Sequence, residues 1–386
     1  MSNNNTPNHS PSMGMFIPMI LLYVLLCVYL FVRGWQALPS TTAVRVAYST
    51  VFTLLAFGYV LGVVFRKAIP LWLSDVIEVL GSTWFIAFLY ILIAVVFIDL
   101  LRLANHWWHF FPSWITTHYA QAKLIAFFSV LGIVVILFTW GYIRFTHPKV
   151  NQLQLAVHKQ VEGKKELRIV AVSDLHLGSI IGKGRLQKFV QQINEQQPDI
   201  ILISGDLFNA DLRPVEARHM NEELRQLNAP LGVYAVLGNH EYIGGDVDAA
   251  ISYLKNAGIH LLRDEVVNIE GINIVGRDDR TNANRKDLRQ LTDSLNKQQP
   301  MIVLDHQPYN LEDAEACGAD LLLCGHTHNG QVWPVSVIVK RMYEVAQGYK
   351  QKGSTHVYVS AGLGIWGPPF RIGTQSEMLV ATLIFD

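Results

Sequence analysis

Four apolar runs near the start of the chain limit what it can fold into more than any other feature. They cover roughly Met15 to Val32, Ala47 to Phe65, Val79 to Ile98 and Leu124 to Ile143. Each is close to the ~20 apolar residues that cross a bilayer core. Of the 386 residues, 51% are hydrophobic and only 16% charged, too apolar for a wholly soluble protein of this size. Arg33, the Arg66-Lys67 pair, Arg102 and Arg144 follow the four runs, and Trp107, Trp108, Phe110, Phe111 and Trp114 form an aromatic belt between the third and fourth. No Lys or Arg precedes the first run and no small-residue cleavage site follows it, so it is expected to remain in the mature chain rather than act as a cleaved signal peptide. Asp99 sits at the edge of the third run, whereas a transport path would bury ionisable groups at mid-depth. The runs therefore predict a four-helix membrane anchor.

Four is even, so the polar start Met1 to Ser12, expected to be disordered, lies on the same side as everything after Thr146. Placing that side in the cytoplasm sets Arg66, Lys67, Arg144, Lys149 and Lys159 there against Arg33, Arg45, Arg102 and Lys123 outside, a small margin under the positive-inside rule. Cys27 lies in the first run and Cys317 and Cys324 flank an apolar strand, so no disulfide framework is present. That favours a reducing compartment, and so the cytoplasm.

The pattern changes at Thr146-His147-Pro148-Lys149, where a proline stops the fourth helix. The expected division is residues 1–12 as a disordered start, 13–147 as four transmembrane helices and 148–386 as a second domain. In that domain short β-rich runs alternate with segments of helical period, which predicts an α/β fold with one core. Strands are expected at Leu167–Val172, Ile200–Ile203, Gly232–Val236, Ile272–Val275, Met301–Leu304, Leu321–Leu323 and Val357–Val359, and helices at Arg185–Gln196, Val247–Ala257 and Arg285–Leu295.

Polar clusters stand at the ends of these strands: Ser173-Asp174-Leu175-His176, Gly205-Asp206, Gly238-Asn239-His240-Glu241, Asp305-His306 and Gly325-His326-Thr327-His328. Singly, each has an ordinary reading: a turn for Asp206, a helix cap for Asn239, a loop for His306. In series they point to one metal site. Asp174 and His176, like His326 and His328, are two residues apart, and side chains at that spacing share a face in extended chain. Carboxylate, imidazole and amide oxygen together suit manganese, iron or zinc better than calcium. Cys324 adjoins the histidine pair but ends an apolar run, which favours a core thiol. His158, His219, His260 and His356 fall outside the clusters. Trp333, Trp366 and Phe370 could line an acyl-chain groove, dip into a membrane interface or pack in the core.

The ordered set from Leu167 to His328 resembles the calcineurin-like metallophosphoesterase superfamily. The resemblance implies a β-sandwich flanked by helices and a pair of divalent metal ions bridged by one aspartate. By motif, Asp174, His176 and His328 would hold the first ion, Asn239, His306 and His326 the second, and Asp206 both. His240, beside Asn239 yet unassigned to a metal, is the candidate to protonate the leaving oxygen. A glycine-rich tail, Ser360-Ala361-Gly362-Leu363-Gly364 with Pro369-Phe370-Arg371, matches some members, and Arg371 is a candidate phosphate-binding residue, with an ordinary surface role as the alternative.

With its anchor the chain is similar to the transmembrane metallophosphoesterase branch, whose relatives include UDP-2,3-diacylglucosamine pyrophosphatases of lipid A synthesis. This implies a membrane-anchored phosphohydrolase cleaving a phosphodiester or pyrophosphate bond. The expected partners are the bilayer and a phosphate-containing, lipid-linked substrate, with no nucleic acid. The alternatives are a hydrolase of soluble phosphoesters and a non-catalytic membrane sensor or scaffold.

Overall fold

The computed structural model describes residues 13–65 and 68–386, so the expectation for residues 1–12 and the positions of Arg66 and Lys67 lie outside the described residues. Contacts divide the chain into two units, one of residues 1–70 and 76–136, the other of residues 71–75 and 137–386.

The first unit is helical. Helices Met13–Ala37, Thr42–Phe65, Leu71–Trp108 and Tyr119–Thr146 carry the four apolar runs, and all four are long and apolar enough to cross a membrane. Few of their residues are buried, as expected where lipid rather than protein covers the apolar surface. The small core of the bundle is Cys27, Leu30, Ala56, Trp84 and Phe88. Polar groups inside it are paired: the Trp84 indole N–H donates to the Tyr23 hydroxyl at 3.0 Å, and that hydroxyl donates to the Ala56 carbonyl at 2.8 Å. The third helix has 38 residues, ~57 Å at 1.5 Å per residue, so it outruns a ~30 Å hydrocarbon core. Its exposed Trp107 and Trp108 stand at the overhanging end, where an aromatic belt is expected.

The second unit holds twelve strands in two sheets: β1 (Lys149–Val157), β2 (Glu166–Val172), β3 (Ile200–Ser204), β4 (Val233–Val236), β5 (His260–Leu261), β6 (Glu265–Ile269), β7 (Ile272–Gly276), β8 (Met301–Leu304), β9 (Leu321–Cys324), β10 (Gly348–Lys352), β11 (Thr355–Val359) and β12 (Glu377–Phe385). One sheet runs β1-β12-β2-β3-β4-β5, the other β10-β11-β9-β8-β7-β6. In the first, β2, β3, β4 and β5 are parallel; in the second, β11, β9, β8 and β7 are.

Alternate residues of each central strand serve two cores. Ile169, Leu202, Ile302, Leu304, Leu321 and Leu323 meet between the sheets, which makes the sandwich. Val170, Val172, Ile201 and Ile203 pack outward on Leu186, Phe189, Val190 and Ile193 of helix Lys183–Asn194 and on Leu254 of helix Val247–Asn256. Val303, Leu322, Cys324 and Val357 pack outward on Leu311, Ala314 and Cys317 of helix Leu311–Cys317. Burial on both faces is why these strands read as continuous apolar runs without alternation.

The seven expected strands are all present, and the helices at 185–196 and 247–257 are each found within two residues. The third helix is shorter than its periodicity suggests, Leu288–Thr292 rather than 285–295. The side chains of Asn282 and Asp264 capture the N–H groups of Asn284 and Lys286, holding that stretch in turns, and Asp287 caps the helix from extended backbone. β1, β5, β6, β10 and β12 are additional. β1 is an edge strand with polar residues on one face, and it pairs with β12 across a long sequence separation.

Candidate metal centre

Every candidate ligand sits just beyond the carboxyl end of a parallel strand: Asp174 and His176 after β2, Asp206 after β3, Asn239 after β4, His306 after β8, His326 and His328 after β9. This is where open parallel sheets place their ligands, because the loops converge there. The chain must turn at once to bring two donors per loop inward. Asp174, His176, Asp206, His326 and His328 accordingly adopt left-handed backbone, with φ of 54°, 48°, 51°, 73° and 48°. For residues other than glycine such positions cost of order 1–3 kcal/mol each and persist where the surroundings over-determine them, typically at functional sites.

The donors form two sets meeting at one carboxylate. In the first, His328 Nε2 lies 3.4 Å from Asp174 Oδ1 and 3.0 Å from His176 Nε2, and His176 Nε2 lies 3.7 Å from Asp206 Oδ2. In the second, His306 Nε2 lies 3.2 Å from that same Asp206 Oδ2 and 3.2 Å from Asn239 Oδ1, while His326 Nδ1 is 2.8 Å from Asn239 Oδ1. An ion with ~2.1 Å bonds spaces adjacent donors ~3.0 to 3.4 Å apart in octahedral or tetrahedral geometry, so the spacings fit a cation in each set. Asp174, His176 and His328 group within 4.8 Å of one another, as do Asp206, His306 and His326. A further group of the same size joins His240 to His176 and Asp206.

The surroundings fix these donors. His306 Nδ1–H donates to the Ser204 carbonyl at 2.7 Å, which turns Nε2 toward Asp206. The Ser173 hydroxyl and the His326 backbone N–H donate to Asp174. The His240 backbone N–H donates to Asp206 Oδ1 at 2.9 Å, leaving Oδ2 to face both donor sets. Glu241, absent from the sequence reading of the site, receives the N–H groups of Phe208 and Gly238 at 2.9 and 2.7 Å and so ties the loop after β3 to the loop after β4. Its one sequence signal is its place in Gly238-Asn239-His240-Glu241. Behind His306, the buried Asp305 is bridged by Arg277 and Arg285.

Electrostatics also suit a cation. Burial pushes His176 down to about 3 and His326 to about 4, and it holds His328 well below the usual imidazole range, so these rings are neutral, the form that binds metal. Burial pushes Asp174 up to about 7, with Asp206 adding to the rise, a penalty on the carboxylate that a cation would relieve. Burial opposes ionisation of Asp206 too, but the neighbouring His306 outweighs it and keeps the carboxyl below its ordinary range. His306 is conversely raised well above its usual value: burial works against its charge and Asp206 overrides it. The proton those two share stands where the second donor set would take a cation. His176 Nδ1 and His240 Nδ1 are buried without a hydrogen-bond partner among the described residues.

Arg371 is not placed to bind substrate. It is fully buried, and its Nη1 donates to the His328 carbonyl at 3.0 Å while Nη2 donates to the carbonyls of Ala361 at 2.5 Å and Gly364 at 2.7 Å. With no exposed surface and both Nη groups donating to carbonyls, Arg371 holds the glycine-rich tail against the His328 loop. Cys324 packs in the outer core and Phe370 is buried, stacked on Phe138 at 4.3 Å, whereas Trp333 and Trp366 are exposed.

The family description "Calcineurin-like phosphoesterase" matches residues 167–330. An uncharacterized metallophosphoesterase of Helicobacter pylori is 30% identical over 348 residues, covering 88% of this chain and 90% of its own. The chain belongs to the calcineurin-like metallophosphoesterase family. This metallophosphoesterase is a phosphoester hydrolase of a family that uses divalent metals, and it carries candidate metal-binding groups and four candidate membrane-spanning helices. A Danio rerio transmembrane protein with a metallophosphoesterase domain is 32% identical over 269 residues, 65% of this chain and 61% of that one. Among solved structures, a dimetal phosphatase from Danio rerio is similar over 53% of this chain and 90% of its own, at 13% identity and a TM-score of 0.36.

Proposed function

We propose that this metallophosphoesterase is a membrane-anchored dinuclear-metal hydrolase that cleaves a phosphodiester or pyrophosphate bond in a lipid-linked substrate such as UDP-2,3-diacylglucosamine. Residues 13–147 would serve as the anchor and 148–386 as the hydrolase. One observation carries the dinuclear reading: Asp206 Oδ2 is within 3.7 Å of His176 in one donor set and 3.2 Å of His306 in the other. Asp174, His176 and His328 would hold one ion, Asn239, His306 and His326 the other, and Asp206 both. When bound, a pair of manganese, iron or zinc ions supplies the charge that activates water and stabilises the phosphoryl oxygens.

The chain's own groups do the rest. His240 stands beside the centre, its ring centroid 4.6 Å from that of His176, with Nδ1 uncommitted. Burial lowers its affinity for a proton while the Asp206 charge partly offsets this, so the protonated ring is a stronger acid than an ordinary imidazolium. In this reading it gives that proton to the leaving oxygen. Trp366, half-exposed, flanks His240 at 6.3 Å between centroids and offers an apolar wall to a lipid-bearing substrate. The unit that bears the site includes the last turns of the fourth apolar helix, residues 137–146, which supports a substrate met at a membrane. The cysteines, all free, support a reducing cytoplasmic side.

The test is full-length protein purified with manganese and assayed on an aryl phosphodiester and on UDP-2,3-diacylglucosamine. Faster cleavage of the lipid substrate, lost in Asp206→Ala, is the expected result. Activity that survives Asp206→Ala overturns the mechanism, and turnover of the water-soluble ester alone overturns the lipid assignment. Accessibility of a tag at Asp386 in sealed vesicles decides the side.

A further inference from the structure

A second site lies within the helical unit, independent of the catalytic reading. A cavity of about 530 Å³ opens between the four long helices, and its lining is divided along the helix axes. At one end stand Arg33, Asp99, Arg102 and Lys123, with Gln36, Tyr48 and Tyr119 also in the lining; most of the remainder is apolar, including Phe52, Leu55, Trp84 and Val130. Arg33 and Lys123 lie near the end of the first helix and the start of the fourth, and Asp99 and Arg102 near the end of the third, so the charges share one membrane face. From Lys123 to Val130 the wall descends ~10 Å, and from Arg102 to Trp84 ~27 Å, at 1.5 Å per residue.

Three cations face one acid. Asp99 is shared by Arg33 Nη2 at 2.5 Å and Arg102 Nη1 at 3.0 Å, and it also accepts the Tyr29 hydroxyl at 2.6 Å. Lys123 Nζ reaches only the Gln36 carbonyl, at 2.6 Å, among the hydrogen bonds of the described residues, and sits over the Tyr119 ring, as Arg102 does. Arg33 Nε is buried with no partner among the described residues. This is a surplus of positive charge at interface depth above an apolar slot, and the slot's length matches an extended hydrocarbon chain.

We propose that this cavity binds an amphipathic phosphate: a phosphate-bearing head seated on Arg33, Arg102 and Lys123, with one hydrocarbon chain between the helices. Two sources share that chemistry, an anionic bilayer phospholipid and an isoprenoid phosphate. A neutral or zwitterionic lipid leaves the surplus charge unanswered, and a free phosphate leaves the slot unfilled.

The test is native mass spectrometry of the full chain in mild detergent after exchange into micelles doped with phosphatidylglycerol, undecaprenyl phosphate, phosphatidylcholine or inorganic phosphate. One phosphatidylglycerol or one undecaprenyl phosphate per chain is expected, retained at least tenfold over phosphatidylcholine; the better-retained of the two identifies the source. Arg102→Gln/Lys123→Gln, which leaves the Arg33–Asp99 pair, should abolish that tenfold preference. Ala126→Trp, which fills the slot and leaves the charges, should lower retention of both anionic lipids at least tenfold. Size-exclusion profiles and unfolding temperature report folding of each variant separately. Equal retention of phosphatidylcholine, retention of inorganic phosphate to the same degree, or anionic lipid undiminished in both folded variants overturns the proposal.

Discussion

Gly238→Ala is the sharpest probe of the site because it replaces no candidate ligand. Gly238 has φ −111°, extended backbone that any residue adopts, so the glycine is required for space alone. A Cβ there would lie 2.1 Å from Asp206 Oδ1 and 2.6 Å from the Asp206 backbone nitrogen. Real Cβ atoms essentially never come closer than 3.0 Å, so Asp206 must retreat by about 1 Å, and with backbone in the way it cannot do so by turning its side chain. Asp206 is the carboxylate between the two donor sets, and a ~1 Å misplacement of a reacting group costs roughly 100-fold, about 2.7 kcal/mol of barrier. The overpacking itself should lower stability by about 1–3 kcal/mol. The assay is kcat on an aryl phosphodiester beside metal content by elemental analysis and the unfolding temperature. A folded Gly238→Ala protein that keeps two ions per chain and turns over within threefold of the parent would refute the reasoning.

Other substitutions separate the roles. His240→Gln should lower kcat ~100-fold or more with metal content unchanged, and less for a nitrophenyl leaving group than for an alkyl alcohol, as loss of a general acid requires. Arg371→Ala strands buried carbonyls and should cost about 3–5 kcal/mol of stability, read by denaturant unfolding, with KM unchanged in whatever remains folded. Chelation should lower the unfolding temperature and manganese restore it, because left-handed backbone and buried carboxylates at the site are held at a cost that the bound ions offset; a melting curve indifferent to chelator would contradict this.

The central strands were legible because burial on both faces writes an unbroken apolar run. β12 carries the same signal in Glu377–Phe385, and β1 a period of two in Asn151 to Val157, yet neither borders a polar cluster that would draw attention to it. The helix expected at 285–295 failed because side-chain hydrogen bonds from Asn282 and Asp264 hold the preceding loop, an interaction that periodicity does not register. Arg371 misled for a related reason. An arginine in a glycine-rich tail suggests a phosphate, whereas the fold surrounds it with carbonyls.

Composition and short-range order alone determined the four apolar helices, the change of character at Pro148 and the polar clusters at the strand ends. These depend on hydrophobic run length and residue type, which are local properties. Tertiary structure alone decided which donors meet. His176 and His328 are 152 residues apart yet have ring nitrogens 3.0 Å from each other, and a single oxygen of Asp206 faces both sets. It also set Arg33 and Arg102 on Asp99, with Lys123 lining the same cavity, at the head of an apolar slot. Such meetings follow from strand order and helix packing, where free energy is shared among residues far apart in the chain, so no window of sequence contains them.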